Sequence, residues 1–600
     1  MDEKMTICGS SCNRNRDKRF KFSFVEVVLL CLGIVLTCIV LVRCFFAIEF
    51  TDEAYTVSDA LAIMHGNTAY SHASHNVAGM SFIPIIFYKV YELFVPSMEG
   101  IFLFSRIAFN LFRFVIIFIT SSLLKCEKDR VSRMVFACLL IPYMATTINT
   151  NFSYTSTSAY LAILVSAMLY SSGYVGERKR NIRLFLAGII SAFMVMTHIV
   201  YALAVITFIL LLFLYTEKNE KLKSILLYCL GGICATMSIL IMVLFQSDFS
   251  HLVSGFNIIL YGAPKGLSTA TSLNERLSYA FGKALPIWIP MVKITIFCYI
   301  VFWTIDYLRF RKKSLFYPNY WFVSVTVAFV CLVIMHWDCY SDVGCACLGS
   351  FFLSFFLFKR RDSFVWYFSV YIIVFLVAII YFTNPSGSRF YFGIPLIFPM
   401  ILYLISVKEK WIHYLGYSLS FLLIVLMCFR NFDTYRDASV DKLDTRVKSG
   451  VYKGIYTTSD RAKDVVELEN YINDNISDDE SVSFRDNAPV AYLMKNKNIC
   501  DIRTWDDMQW YYGCNDPTAM YMYYKNKGSI PDVISYIDFK RDDSLSIENP
   551  SDIFQYNDFV NEYYYLDKDD FKNTTFRVLI YRNNGSFDGD FDSLLDSIKL

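Results

Sequence analysis

Through roughly its first 430 residues the chain alternates long apolar runs with short polar connections. The runs lie near 24–48, 103–124, 134–150, 154–173, 184–198, 200–215, 223–246, 284–305, 318–337, 343–358, 363–382, 391–407 and 410–429. A helix needs about 20 apolar residues to cross the hydrocarbon core of a bilayer, so the pattern predicts about 13 transmembrane helices. Residues 81–95 (SFIPIIFYKVYELFV) break the series because they are short and carry Lys89 and Glu92. They predict an amphipathic helix lying in the membrane interface. Beyond 430 the pattern changes. Ala462–Ile476 has helical periodicity behind a capping Ser459-Asp460, Ser481–Phe484, Val533–Phe539 and Thr575–Tyr581 read as strands, and Pro489–Lys495 reads as a short helix. The expected fold is a polytopic α-helical membrane protein with a C-terminal extracytoplasmic α/β domain. The expected parts are a cytoplasmic tail (1–23), a transmembrane domain (24–429) and a soluble domain (430–600).

Composition fits this division. The chain is 55% hydrophobic and 17% aromatic, with a mean hydropathy of +0.40, which excludes a soluble globular protein over most of its length. The net charge of +2 says little, but the placement of basic residues says more. Arg14–Lys21, Lys125–Arg133, Arg178–Arg183, Lys218–Lys223, Arg309–Lys313, Lys359–Arg361 and Lys408 with Lys410 fill alternate connections. The connections between them, 49–102 first, are poor in Lys and Arg for their length. Under the positive-inside rule the N-terminus is cytoplasmic, 49–102 is the first external loop, and an odd number of spans places the C-terminal domain outside. Most of the 17 cysteines lie in apolar runs, where Cys acts as a small hydrophobe; only Cys500 and Cys514 fall in the C-terminal domain, and a bridge between them is left open. No phosphate-binding loop or dinucleotide-binding glycine pattern occurs, and no nucleic-acid partner is expected.

The candidate chemistry gathers just after the first run, at Phe50-Thr51-Asp52-Glu53-Ala54-Tyr55. Adjacent carboxylates at the mouth of a membrane helix are costly to desolvate, and 49–78 contains no Lys or Arg to neutralise them. Their partner must come from elsewhere in the chain, from a cation or from a ligand. Thr51 or Asp52 also suits a helix N-cap, a role that does not exclude catalysis. His65, His72, His75, His198, His251 and His336 all fall at the predicted outer face, with Asp338, while His413 falls inside. The short runs 184–198 and 200–215 meet at Thr197-His198-Ile199 and read as two half-length helices beside a cavity. A divalent metal is left open: Asp52, His75, His251 and His336 have suitable atoms, but no spacing is diagnostic and none is assigned. Aromatics such as Trp505, Trp510 and Tyr521–Tyr524 suit either glycan stacking or ordinary packing.

The order of these pieces resembles the GT-C superfamily of polyprenyl-phosphate-sugar-dependent glycosyltransferases. Within it the chain is most similar to the protein O-mannosyltransferases and the lipid A aminoarabinose transferase. The matching residues are Asp52-Glu53-Ala54-Tyr55, Gly66-Asn67, His75 with Gly79 and Pro84, Ser105-Arg106, and Ser388-Arg389-Phe390-Tyr391-Phe392-Gly393-Ile394-Pro395-Leu396. They span roughly residues 20–430. The relatives often carry Lys-Pro-Pro before the interfacial helix; here Asn76–Pro84 has one Pro and no Lys, so no lysine role is expected there. The resemblance implies inverting transfer of a sugar from a polyprenyl-phosphate donor to a hydroxyl of a glycan, lipid or protein acceptor, on the outer face of a bacterial plasma membrane. It implies Asp52 as base, Glu53 as its catalytic neighbour, and Arg106, Arg389, His75, Tyr55 and Lys265 as substrate-binding residues. Two other readings remain at this level. One is a transporter or flippase of lipid-linked glycans, and the other is a non-catalytic glycan-binding scaffold.

Overall fold

The computed structural model describes residues 24–50, 52–64, 78–123, 151–173, 175–198, 201–246, 273–310, 437–486, 528–539 and 557–596, with isolated positions elsewhere. The expected spans at 134–150, 343–358, 363–382 and 391–407, and the short helix at Pro489–Lys495, lie outside these residues, as do all but isolated positions of 318–337 and 410–429.

The first run forms α1, Phe24–Arg43. It stops short of residue 48 because Phe46 leaves the helix and pairs, in parallel, with Tyr456. Ala47 N–H donates to Tyr456 O at 2.9 Å, and Tyr456 N–H donates to Phe45 O at 2.7 Å. Then come α2 (Asp52–Met64), a 3-10 turn (Ala78–Ser81) and α3 (Phe82–Phe94). Pro84 is tolerated in the first turn of α3, where its missing N–H would have no intrahelical partner. Phe82, Pro84 and Tyr88 of α3 are buried, while Ile86, Val90, Leu93 and Phe94 form an exposed apolar stripe at helical spacing. That is the two-faced pattern of a helix whose outer side meets lipid.

The helices α4 (Ile101–Leu123), α5 (Tyr154–Ser172), α6 (Glu177–Thr197), α7 (Ala202–Tyr215), α8 (Lys221–Gln246) and α9 (Leu273–Phe310) follow. Among the described residues, Ile101–Leu123, Glu177–Thr197 and Lys221–Phe245 are long and apolar enough to cross a membrane. Helix α6 corrects one expectation. Its 21 residues absorb the basic run 178–183 into its first turns, so it is a full-length helix and not a half-span. At that end Arg180–Glu220 (2.7 Å) and the Lys223–Glu177 pair join the starts of α6 and α8. At the other end His198 is buried against Tyr154, with ring centroids 5.1 Å apart. The helices α6 and α8 approach through glycine. A Cβ at Gly188 would fall 2.0 Å from Tyr228 O, and one at Gly231 would fall 2.0 Å from Phe185 O. Close backbone approach of this kind is how helices associate where lipid removes the hydrophobic drive between them.

The C-terminal region begins with a two-stranded ladder, β1 (Thr445–Arg446) and β2 (Tyr456–Thr457). Helix α10 (Ser459–Asn475) is capped by Thr458, whose hydroxyl accepts from Arg461 N–H at 3.4 Å; Ser459 opens the helix instead of capping it. A four-stranded sheet follows, built from β3 (Val482–Asp486), β4 (Val533–Phe539), β5 (Tyr564–Lys572) and β6 (Phe576–Asn583) in the order β3-β4-β6-β5. Strands β3 and β4 are parallel, and the other two pairings are antiparallel. The helices α11 (Asn557–Tyr563) and α12 (Phe591–Asp596) complete the described part. The sheet is buried on both faces. Ile534, Tyr536, Leu579 and Tyr581 face α11 and α12, while Val533, Ile537, Val578 and Ile580 face α10. The α10 side does not close on itself: the same apolar cluster runs on through Ile48, Phe50, Ala54, Val57, Ile101 and Phe102.

Candidate functional site

The carboxylate pair stands where these two regions meet. Helix α2 begins at Asp52, and the amide of Glu53 donates to Glu49 Oε2 at 2.6 Å. The Glu49 carboxylate, an anion at the positive end of the helix dipole, therefore satisfies that amide.

Glu53 is buried, and its partner is Arg106 on α4. Arg106 Nε donates to Glu53 Oε1 at 2.6 Å and Nη2 to Oε2 at 2.5 Å, a two-pronged match of guanidinium to carboxylate. The other donors turn to the chain leaving α1. Nη1 donates to Cys44 O (2.9 Å) and Phe46 O (3.1 Å), and Nη2 also donates to Ala47 O (2.8 Å). All five N–H groups of Arg106 are thus spent within the protein. The roles expected of both residues call for free groups, and in this structure the two are paired with each other. Arg106 has no donor left for a lipid phosphate, and Glu53 is a partner to arginine, not free to orient an acceptor. Together they clamp the start of α2 to the end of α1.

A second network supports the same corner. Tyr88 OH and Ser105 Oγ lie 2.5 Å apart, Ser105 donates to Asn151 Oδ1, and Asn151 Nδ2 donates to Glu53 O at 3.4 Å. From the C-terminal side, Asp437 Oδ2 accepts from Ile48 N–H (2.7 Å) and Thr457 Oγ1 (2.8 Å), and Asp437 Oδ1 pairs with Arg461 at 3.1 Å. The Arg461 guanidinium lies 5.2 Å over the Phe50 ring, and Phe50 packs edge-on to Tyr452 and Phe576. Tyr452 OH donates to Glu49 O at 3.2 Å. Burial first, then the charges of Glu53 and Glu49, push its phenol well above its ordinary value, so it stays a donor throughout the accessible pH range.

Asp52 and Tyr55 stand three residues apart on α2, at the turn this clamp fixes. His75, Lys265 and Arg389 lie outside the described residues, as do His251 and His336. Among the described residues no group of three His, Cys, Asp or Glu could hold a metal ion. The sequence reading missed Glu49, Asp437, Arg461 and Tyr452, which are ordinary residues until the fold brings them to Phe50. It also passed over Arg113, buried on α4, although a guanidinium inside an apolar run is itself a signal.

No family model and no curated protein matches the chain. Among solved structures it is similar to the crystal structure of ArnT from Cupriavidus metallidurans in the apo state. That likeness has a TM-score of 0.38 and 11% identity, over 92% of this chain and 97% of that one. A likeness of this size carries no functional assignment.

Proposed function

We propose that the protein is a membrane-embedded glycosyltransferase that moves a sugar from a polyprenyl-phosphate donor to an acceptor hydroxyl, with Asp52 as the base. The observation that carries the reading is the clamp at the start of α2. A buried two-pronged ion pair, a carboxylate cap and a tyrosine–serine–asparagine network all converge on the residue next to Asp52. A catalytic carboxylate needs that support, because a displacement reaction gains its rate from held geometry.

In the reaction the acceptor oxygen attacks the anomeric carbon from the face opposite the phosphate. The C1–O bond to phosphate breaks, its electron pair leaves with the lipid phosphate, and the acceptor proton passes to the Asp52 carboxylate. One displacement inverts the anomeric centre. The position of Asp52 at the end of a membrane span suits a donor held in the bilayer and an acceptor arriving from the adjoining solvent. Tyr55, one turn further along α2, serves the substrate from the same helix. His75, Lys265 and Arg389 complete the proposed substrate set, with Arg389 taking the phosphate role that Arg106 cannot.

The test is transfer from a panel of radiolabelled polyprenyl-phosphate sugars in membranes carrying the wild-type protein or Asp52→Asn. A general base typically contributes about 10²–10⁴ in rate, so the variant should lose about that factor while folding normally. Undiminished transfer in Asp52→Asn would remove Asp52 as base, and no transfer from any donor by the wild type would remove the enzyme reading.

A further inference from the structure

Arg113 lies two turns beyond Arg106 on the same buried face of α4 and is only 1% exposed. It is about 18 Å along the helix from Ile101, near the middle of the span. A guanidinium keeps its charge in any protein environment, so at this depth it needs an anion. Its Nε and Nη2 have no hydrogen-bond partner. These two atoms form the fork edge of the side chain, and Arg106 shows what that edge takes: the two oxygens of a carboxylate, at 2.6 and 2.5 Å.

Other buried polar atoms of α4 and α5 are open in the same way. Thr120 Oγ1 on α4 and Thr157 Oγ1 and Tyr160 OH on α5 are buried without a hydrogen-bond partner, as is Asn110 Oδ1. Thr157 and Tyr160 share one face of α5, and the Tyr160 hydroxyl lies beside the Arg113 guanidinium, within its electrostatic and hydrogen-bonding reach. Arg43, Arg106 and Arg113 all lie within electrostatic reach of Cys44, and Glu53 pairs with Arg106 and also acts on Arg43. Unpaired buried donors are costly, and an arginine fork without a partner at this depth points to a missing acceptor. For a guanidinium fork with a tyrosine hydroxyl beside it, that acceptor is an oxyanion.

The geometry points to a phosphate-binding site built by Arg113, Tyr160 and Thr157 between α4 and α5, taking the phosphate of a membrane lipid. A span-deep site is reached from the bilayer more readily than from water, which favours a lipid-borne phosphate over the free ion. Its identification with the sugar donor's phosphate rests on the transferase reading; the anion site does not.

The test uses the full chain, stripped of lipid in neutral detergent, with thermal unfolding titrated against a polyprenyl monophosphate, the neutral polyprenol, phosphatidylglycerol and inorganic phosphate. The expected result is a saturable rise in unfolding temperature with a phosphate-bearing lipid and none with polyprenol. Arg113→Gln should weaken the apparent affinity at least tenfold, Arg113→Lys less, and Tyr160→Phe and Thr157→Val a few-fold each. Lipid-stripped Arg113→Gln should unfold no earlier than the lipid-stripped wild type, because the variant removes an uncompensated charge. Equal lipid affinity in Arg113→Gln would overturn the proposal. So would a variant destabilised to the same degree with and without lipid, which would mark an internal ion pair, and so would a response to inorganic phosphate alone. Arg113-dependent lipid binding without sugar transfer from any donor would leave the site standing and remove the transferase reading. Transfer lost in Asp52→Asn but binding and transfer intact in Arg113→Gln would do the reverse.

Discussion

Glu53 and Arg106 are 7% and 3% exposed at their side chains, so each charge depends on the other for its solvation. Breaking such a pair from one side leaves a buried uncompensated charge at a cost of about 3–5 kcal/mol, whereas replacing both partners costs much less. Arg106→Met and Glu53→Gln should each lower the yield of folded protein and its unfolding temperature in detergent, and the double variant should recover part of the loss. Arg106→Lys should not rescue, because an ammonium cannot reach both carboxylate oxygens and three carbonyls at once. Glu469 is a second residue with a measurable consequence. Burial, and the nearby charge of Glu99, push its carboxyl from 4.5 up to about 7, with the Val451 amide partly opposing. The folded chain therefore keeps a proton that the unfolded chain has already lost between those two values. Stability from this source is full below about pH 4.5, falls as the pH rises to about 7 and is flat above, by at most about 3 kcal/mol. Unfolding temperatures at pH 5 and pH 8 should differ more in the wild type than in Glu469→Gln.

At the scale of elements, legibility followed periodicity. Strands β4 and β6 were readable because they lie in the middle of the sheet, buried on both faces, and so carry nearly continuous apolar runs. Strand β5 was not, because YYLDKDDFK is an exposed edge strand with shifts of register against β6, and charge along an edge is what blocks pairing with other chains. Helix α3 was legible as Lys89 and Glu92 inside a short apolar run, which mark one helix with two different sides. The length of α6 was not, since hydropathy stops at its basic first turns while the backbone continues through them. The glycines carry the prediction for this scale. Gly188→Ala or Gly231→Ala must push α6 and α8 apart, at a cost of about 1–3 kcal/mol, and each should lower the unfolding temperature in detergent. Gly232→Ala, whose nearest neighbour would be 3.6 Å away, should not.

For the whole molecule, residues between Ile48 and Phe102 share one apolar cluster with the C-terminal region, and the proposed membrane arrangement puts both on one side. The Arg180–Glu220 and Lys223–Glu177 pairs mark the opposite end of the bundle. Cysteines introduced at Ser97 and Lys463 should both react with an impermeant maleimide from the side that leaves one at Lys179 unlabelled. Labelling of all three from one side would refute this arrangement. Truncation before residue 437 would expose Phe50, Ile101 and Phe102, so the membrane part should not accumulate as a stable product when expressed without the rest.

The apolar runs, the basic connections and the paired carboxylates after α1 are properties of neighbouring residues, and the sequence by itself determined them. Hydropathy and period act locally, so they mark spans and strands without knowledge of the fold. The partner of Glu53 was of another kind. Nothing in 49–78 could supply it, and Arg106 was legible only as an arginine in a suggestive motif until α4 packed beside α2. Folding turned that expected phosphate ligand into a structural clamp, left Arg113 two turns away as the open guanidinium, and brought Asp437, Tyr452 and Arg461 hundreds of residues back to Phe50. Which charge is satisfied and which is left open depends on donors and acceptors supplied by distant elements, and only the tertiary structure decides that.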